Sequence, residues 1–538
     1  MMKKIFYRSI DSVTAAAFLV GTSSFLSRLL GVVRDRILAG TFGAGDTLDV
    51  YYAAFRIPDL IFNLLVLGAL SAGFIPAFTN LLGDDKDDKK EAWRLANNII
   101  NLLGLAMMVL LVLGIIFAPW IMKLATPGFS GEKLQQTIAL TRIMFLSPLL
   151  LGLSSVLGGI LQSMKRFFAY SMSPLFYNLG IIAGAYFLAP RWGVAGLAWG
   201  VVLGSVLHAL VQLPAVRQLG WRYQFMADWR DKSVRLILKM MTARTLSLAI
   251  NQINLLVVTI IASTLDSGSL SVFNLANNLQ SFPVGIFGIS FAIAVFPALS
   301  ANAFNKENLV KRLSSSVRQI LFFIIPATVV FLLLRAQIVR LILGSGQFDW
   351  QATILTTNSL SFFAISFFAQ ALIPLLTRVF YARHDSKTPF YVGLISTVAN
   401  VILSLYFGRL WGVAGLALAF SLSSIINFIA LAVVLKIEIG NLNEKYTIVW
   451  LLKFSLAAMA CAVVIQTIKQ VLGSIVDMDR FWGVFLQAGV ASGVGIMVYI
   501  LICWRFGSPE VIRLWQYLKH RLPGRSTTPT DQSEARGI

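Results

Sequence analysis

Long apolar runs alternate with short, cation-rich connections along nearly the whole chain. Most of the runs match or exceed the roughly 20 residues that cross a bilayer core as a helix. They predict helices at about 12–39, 47–80, 93–122, 134–162, 168–189, 193–217, 235–265, 270–302, 309–338, 350–382, 388–409, 412–437, 446–469 and 481–505. The fold class is therefore an all-α polytopic membrane protein with about 14 transmembrane helices. A closed barrel is the other way to satisfy a backbone in lipid. It would show short alternating segments, and a continuous apolar run such as 320–334 is not one.

The connections set the orientation. Cations gather in every second one: Lys3, Lys4 and Arg8; Lys86, Lys89, Lys90 and Arg94; Lys165 and Arg166; Arg217, Arg222, Arg230, Lys232 and Arg235; Lys306, Lys311 and Arg312; Arg378, Arg383 and Lys387; Lys436 and Lys445; Arg505. The alternate set, 41–47, 265–268 and 343–349, is short and poor in cations, with single arginines at Arg191 and Arg409. Lys123 and Lys133 are a mild exception. Positive-inside bias then places both termini in the cytoplasm and the chain in the cytoplasmic (inner) membrane. The basic start, 1–8, reads as the lead-in to a retained first helix, because no small-residue cleavage site follows it.

An internal repeat organises the helices. Residues 192–198 read WGVAGLA, and the same seven letters return 219 residues later at 411–417. FIPAF at 74–78 is matched by VFPAL at 295–299, with Pro76 and Pro297 separated by 221. Six helices per repeat is an even number, so the halves share orientation, as parallel repeats do. The predicted organisation is a six-helix lobe at 1–220, a second at 221–440, two further transmembrane helices within 441–506, and a cytoplasmic tail at 507–538. An amphipathic helix is expected near 511–521, followed by a disordered end rich in Ser, Thr and Pro.

Composition narrows the function classes. Hydrophobic residues make up 57% of the chain and charged ones 13%, about half the ~25% of soluble proteins. A net charge of +21 invites nucleic acid, but the cations are scattered through connections, so no nucleic-acid partner is expected. Cys461 and Cys503 fall in different apolar segments and predict no disulfide. His208, His384 and His520 are far apart and form no metal motif.

Ionisable residues inside spans are costly and usually face a cavity or one another. Counting from the predicted helix ends at ~1.5 Å per residue, Arg56 and Arg244 each lie about 14 Å deep. Asp49, Arg56 and Asn63 are seven apart and share a face, as do Arg28 and Asp35, and Arg244 and Asn251. Asn274, Asn278, Ser281 and Gly285 run down the eighth helix. Arg142 is a further candidate. Snorkelling competes as a reading for Arg34 and Arg36, internal pairing with Asp49 or Asp59 competes for Arg56, and helix–helix hydrogen bonding competes for Asn274 and Asn278. An arginine-lined cavity suits an anion, since a guanidinium matches phosphate bidentately and stays charged when desolvated.

Several stretches resemble the MurJ (MviN) family of the multidrug/oligosaccharidyl-lipid/polysaccharide exporter superfamily. They are SRLLGVVRD at 27–35, FRIPD at 55–59, GALSAGFIPAF at 68–78, PVGIFGISFAIAVFPALS at 283–300 and FYARHDSKTP at 380–389. The resemblance covers about 10–470. It implies fourteen helices, alternating access and lipid II, the undecaprenyl-diphosphate-linked peptidoglycan precursor, as substrate. It carries substrate-binding roles onto Arg28, Arg34, Asp49 and Arg56. Departures stand at Asn63, Leu67, Asn278 and Ser281, where the family commonly has charged residues. Arg244, with Asn251 on its face, is expected to supply the cation missing at Asn278.

The expected function is a lipid II flippase and not an enzyme, because the outer connections are short and hold only isolated carboxylates. A flippase for another undecaprenyl-diphosphate-linked glycan, such as an O-antigen or capsule unit, stays open, as does a non-transporting scaffold. No cofactor is expected, and Na+ and H+ are both open as coupling ions. Expected partners are the lipid substrate, membrane lipids and cell-wall synthesis proteins.

Overall fold

The computed structural model describes residues 13–67, 73–82 and 89–521. Among these every regular element is helical: α1 (Val13–Phe42), α2 (Asp46–Phe62), α3 (Ile75–Leu82), α4 (Lys90–Ala125), α5 (Gly131–Met144), α6 (Leu146–Ser163), α7 (Phe167–Ala183), α8 (Ala189–Trp192), α9 (Val194–Gln218), α10 (Lys232–Ser263), α11 (Ser269–Pro283) and α12 (Ser290–Ala301). The series continues with α13 (Lys306–Leu333), α14 (Arg335–Ile342), α15 (Trp350–Ile365), α16 (Phe367–Ala382), α17 (Lys387–Ile439), α18 (Glu444–Ile475), α19 (Phe481–Arg505) and α20 (Pro509–Arg521).

Several expected helices are interrupted. Short π-helical stretches at Asn63–Leu67, Gly184–Leu188 and Val284–Ile289 break the α-helical register. The expected helix at 134–162 is interrupted at Phe145, and the one at 350–382 bends by 48° at Ser366. In the other direction, two expected helices run together as α17, with a break at Trp411 and Gly412. Nine helical runs among the described residues are long and apolar enough to span a membrane, ten if the pair bent at Ser366 is one span. Val13–Phe42, the run from Asp46 and Lys232–Ser263 are not among them, so length and apolarity alone do not reach fourteen.

The chain packs as two compact units. The first comprises the described residues of Met1–Leu275 with Ile342–Leu355 and Val401–Leu416; the second comprises Ala276–Leu341, Thr356–Asn400 and the described residues of Ala417–Ile538. In the first unit α7 and α9 approach backbone to backbone. A Cβ on Gly180 would meet Gly204, and one on Gly184 would meet Gly200, the small-residue packing that lipid-embedded helices use. One core cluster there gathers Phe74, Phe78, Ile160 and Leu161, and another gathers Leu38, Leu48, Tyr51 and Val201. In the second unit Phe322 packs on Phe454 and Tyr499. The tail helix α20 is not a free end. Its Glu510 is buried against Arg318, with Nε to Oε1 at 2.6 Å, and Arg318 also donates to the Tyr446 hydroxyl.

The sequence repeat has a backbone counterpart. Gly193 and Gly412, the second letters of the two WGVAGLA copies, have φ of +57° and +56°. A Cβ on Gly196 would strike the main chain at Leu188 and Ala189, and one on Gly415 the main chain at Phe407 and Gly408. The π-helical stretches that begin at Asn63 and Val284 stand 221 residues apart, as do Pro76 and Pro297.

Candidate functional site

Helix α2 carries the site. It starts after Gly45 and presents Asp49, Arg56 and Asp59 in turn, with Pro58 inside. Arg56 crosses to two other helices of the same unit. Its Nε donates to Thr259 Oγ1 at 3.1 Å and its Nη2 to Asn274 Oδ1 at 3.2 Å. Among the described residues it makes no ion pair; its hydrogen-bond partners are neutral oxygens. A guanidinium held this way keeps its charge to offer, and an anion would bind it more strongly than a hydroxyl or amide oxygen does.

Arg34 is held differently. Its Nη2 lies 2.8 Å from Asp35 Oδ1, and its Nη1 donates to Asn178 Oδ1 at 3.1 Å. Asn178 in turn donates to the Pro174 carbonyl at 3.0 Å. A cavity of about 260 Å³ opens beside this pair, lined by Arg34, Asp59, Ser147 and Tyr177 with the rings of Phe55 and Phe62. Arg34 and Asp59 are thus brought to one cavity.

Asp49 does other work. It is 2% exposed. Its Oδ2 accepts the Gly268 amide and its Oδ1 the Ser271 amide, both at 2.8 Å, which caps the start of α11. Lys133 bridges it to Asp46, at 3.1 Å and 2.5 Å respectively. The loops at this end interlock as well: the Gln347 amide donates to the Gly40 carbonyl at 2.8 Å, and Arg36 reaches the Ile342 carbonyl at 3.3 Å. Arg28 is exposed on α1. Arg142 is also exposed and donates to the Ile115 carbonyl at 3.1 Å.

Arg244 and Asn251 lie on α10, with their side chains outside the described residues. Asn278 lies on α11 one turn after Asn274, half-buried and in the second unit, where its carbonyl accepts from Ser281 Oγ. Sequence reasoning missed Lys133, Asn178 and Thr259. Lys133 stands in a connection where the alternation of charge is its only signal, and a lone Thr or Asn in an apolar run gives no signal of its partner.

The family model for lipid II flippase MurJ matches residues 38–486. The chain belongs to the MurJ family of lipid II flippases. A MurJ relative from Buchnera aphidicola subsp. Baizongia pistaciae, "Probable lipid II flippase MurJ", is 30% identical over 491 residues, covering 89% of this chain and 94% of its own length. The "Lipid II flippase MurJ" of Burkholderia cenocepacia is 28% identical over 426 residues, 77% of this chain and 82% of its own. A solved MurJ structure, "Lipid II flippase MurJ, inward closed conformation", superposes with a TM-score of 0.74 at 25% identity, over 91% of this chain and 98% of the other. An inward-facing MATE transporter of the MOP superfamily shares the fold with a TM-score of 0.64 at 17% identity, covering 78% of this chain and 96% of its own. MurJ membership makes this chain a multi-pass membrane transporter and not an enzyme.

Proposed function

We propose that this chain translocates lipid II across the cytoplasmic membrane by alternating access, with Arg56 receiving the diphosphate. Family membership supports the substrate class. The observation that carries the role of this site is Arg56, a cation within α2 that donates to the neutral oxygens of Thr259 and Asn274 and, among the described residues, makes no ion pair, with the Asp59 carboxylate within electrostatic reach one turn on. An arriving diphosphate exchanges those contacts for charge-assisted ones, so ligand binding frees the middle of α2 from Thr259 and Asn274 while Asp49 still holds its start to α11. That is a differential interaction of the kind a ligand needs to shift a conformational equilibrium. On this reading the lobes at 1–220 and 221–440 move against each other, both termini are cytoplasmic, and Asp49 belongs to the closure at the outer end.

The test is lipid II flipping by the full chain in proteoliposomes. Arg56→Ala is expected to lower the rate by more than tenfold, and Arg56→Lys to retain a fraction, because a point charge replaces a planar fork. Wild-type flipping by Arg56→Ala would sink the assignment of Arg56. Depletion in the native cell assigns the headgroup: inner-leaflet accumulation of an O-antigen or capsule precursor, with lipid II unchanged, would replace lipid II as the substrate.

A further inference from the structure

Between α9 and α10 the chain leaves helical structure over residues 219–231, yet it is held fast. Three asparagines near the start of α4 clamp it. Trp221 Nε1 donates to Asn97 Oδ1 at 3.0 Å, and Asn97 Nδ2 donates to the Arg222 carbonyl at 3.0 Å. The Tyr223 hydroxyl donates to Asn101 Oδ1 at 2.7 Å, and Asn101 Nδ2 to the Gln224 carbonyl at 2.9 Å. Asn98 pairs with the Asp228 main chain in both directions, each at 2.8 Å. Each asparagine uses both ends of its amide, and all three are buried.

Burying three amides is costly unless each is paired. Here the pairing partner is one connecting segment, so the clamp serves to fix that segment. A connection that only had to let two halves move would be loose and rich in Gly or Ser. This one reads WRYQFMADWR at 221–230; Trp221 is buried, and the other rings and both arginines face outward. Phe225 is 81% exposed and Trp229 62%, and the Arg230 guanidinium lies over the Trp229 ring at 5.4 Å. A cavity of about 590 Å³ opens alongside, lined by Leu213, Arg217, Trp221, Arg222 and Tyr223. No carboxylate lines it, and neither arginine has an ion-pair partner among the described residues.

We propose that Arg217 and Arg222, framed by Trp221 and Tyr223, bind the phosphate of an anionic phospholipid in the surrounding leaflet, at a site held in shape by Asn97, Asn98 and Asn101. Arginine forks fit phosphate oxygens, and Trp and Tyr settle at headgroup depth. The surrounding bilayer is the source of this lipid for two reasons. Leu210, Leu213 and Arg217 share one face of α9, and Leu210 is exposed, which gives an acyl chain an apolar track below the cations. The cavity also shares no lining residue with the one beside Arg34 and Asp59. The inference goes beyond the transport reading and does not depend on it.

A photoactivatable phosphatidylglycerol tests it with the full chain in nanodiscs, the attachment positions being mapped by mass spectrometry. Labelling within 213–230 is expected in the wild type. Arg217→Ala with Arg222→Ala should lower it on the order of tenfold relative to labelling elsewhere on the same molecule. Asn98→Ala, which keeps both arginines, should also lower it by loosening their presentation. Restoring charge with Arg217→Lys and Arg222→Lys should recover part of the signal. Unchanged labelling in the double alanine variant would overturn the site, as would equal labelling by a phosphatidylcholine probe. Competition by an undecaprenyl-diphosphate lipid but not by phosphatidylglycerol would make it a substrate site and overturn the proposed occupant. The readout is attachment and not flipping, so failure here is separate from failure of the transport reading.

Discussion

The carboxylate of Asp49 accepts the main-chain amide of Ser271 at 2.8 Å, across 222 residues of sequence. With the Gly268 amide and Lys133 it forms a buried, fully engaged cap on α11. Asp49→Ala leaves two amides without their acceptor and Lys133 with Asp46 alone, and is expected to cost about 2–4 kcal/mol. Asp49→Asn keeps an acceptor but loses the charge, and should cost roughly 1–2 kcal/mol. Melting temperatures of the full chain in detergent should fall in that order. Equal values for wild type and Asp49→Ala would mean that the carboxylate is satisfied by water instead.

Glycine is required twice over at Gly268 and only once at Gly220. Both have positive φ, +87° and +95°. A Cβ on Gly268 would collide with the Ala44 carbonyl, whereas nothing lies within 4 Å of one on Gly220. Gly220→Ala should cost only the backbone strain, about 1–2 kcal/mol. Gly268→Ala should cost distinctly more and reduce the yield of folded protein. Similar thermal shifts for the two variants would show that the loop at Ala44 gives way.

Asp385 makes one connection acid-sensitive. Its Oδ1 accepts the amides of Lys387 at 2.8 Å and Thr388 at 3.1 Å, at the start of α17. Burial pushes its carboxyl upward, but the bonds from Thr388 and Lys387 outweigh that and hold it below the usual carboxylate range. A lowered folded-state value stabilises at any pH above the ordinary carboxylate range, and the gain is lost as pH falls through the lowered value. Asp385→Ala should therefore cost about 1 kcal/mol at neutral pH, and its melting point should converge on the wild type's in acid. A gap that stays constant down through the carboxylate range would assign the effect to packing.

Periodicity and charge carried much of this fold. The WGVAGLA copies marked two matching bends, and spacing along the second helix singled out Arg56, which reaches Thr259 and Asn274. Other features depend on partners that are distant in sequence. Helical spacing aligns Asp49 with Arg56, but its acceptance of the Gly268 and Ser271 amides depends on partners about 220 residues away that spacing cannot show. Seven-residue spacing puts Arg28 and Asp35 on one face, and it does not announce that Asp35 also takes the side chain of its neighbour Arg34. The asparagines at 97, 98 and 101 did carry a signal, three amides clustered at the start of a span beneath a basic loop. The π-helical stretches insert a residue without changing hydropathy, so periodicity alone could not place them.

The repeat makes a quantitative demand at Lys165 and His384. These two residues are 219 apart, like the WGVAGLA copies. Both are left-handed, with φ of +57° and +63°. Each follows a helix end closed in the same way: Arg166 N donates to the Leu161 carbonyl at 2.7 Å, and Asp385 N to the Phe380 carbonyl at 2.9 Å. A side chain in this region costs about 1–2 kcal/mol that glycine does not incur. Neither side chain is idle, since His384 lies 5.9 Å from the Phe304 ring, so a direct change to glycine mixes two effects. Alanine at each site removes the side-chain contacts and keeps the strain, and glycine then removes the strain. The Ala-to-Gly step is therefore expected to stabilise at both positions, by about 1 kcal/mol each and by similar amounts. Thermal unfolding of the four single variants measures it. Stabilisation at one site with destabilisation at the other would break the equivalence of the two helix ends, and with it the local repeat.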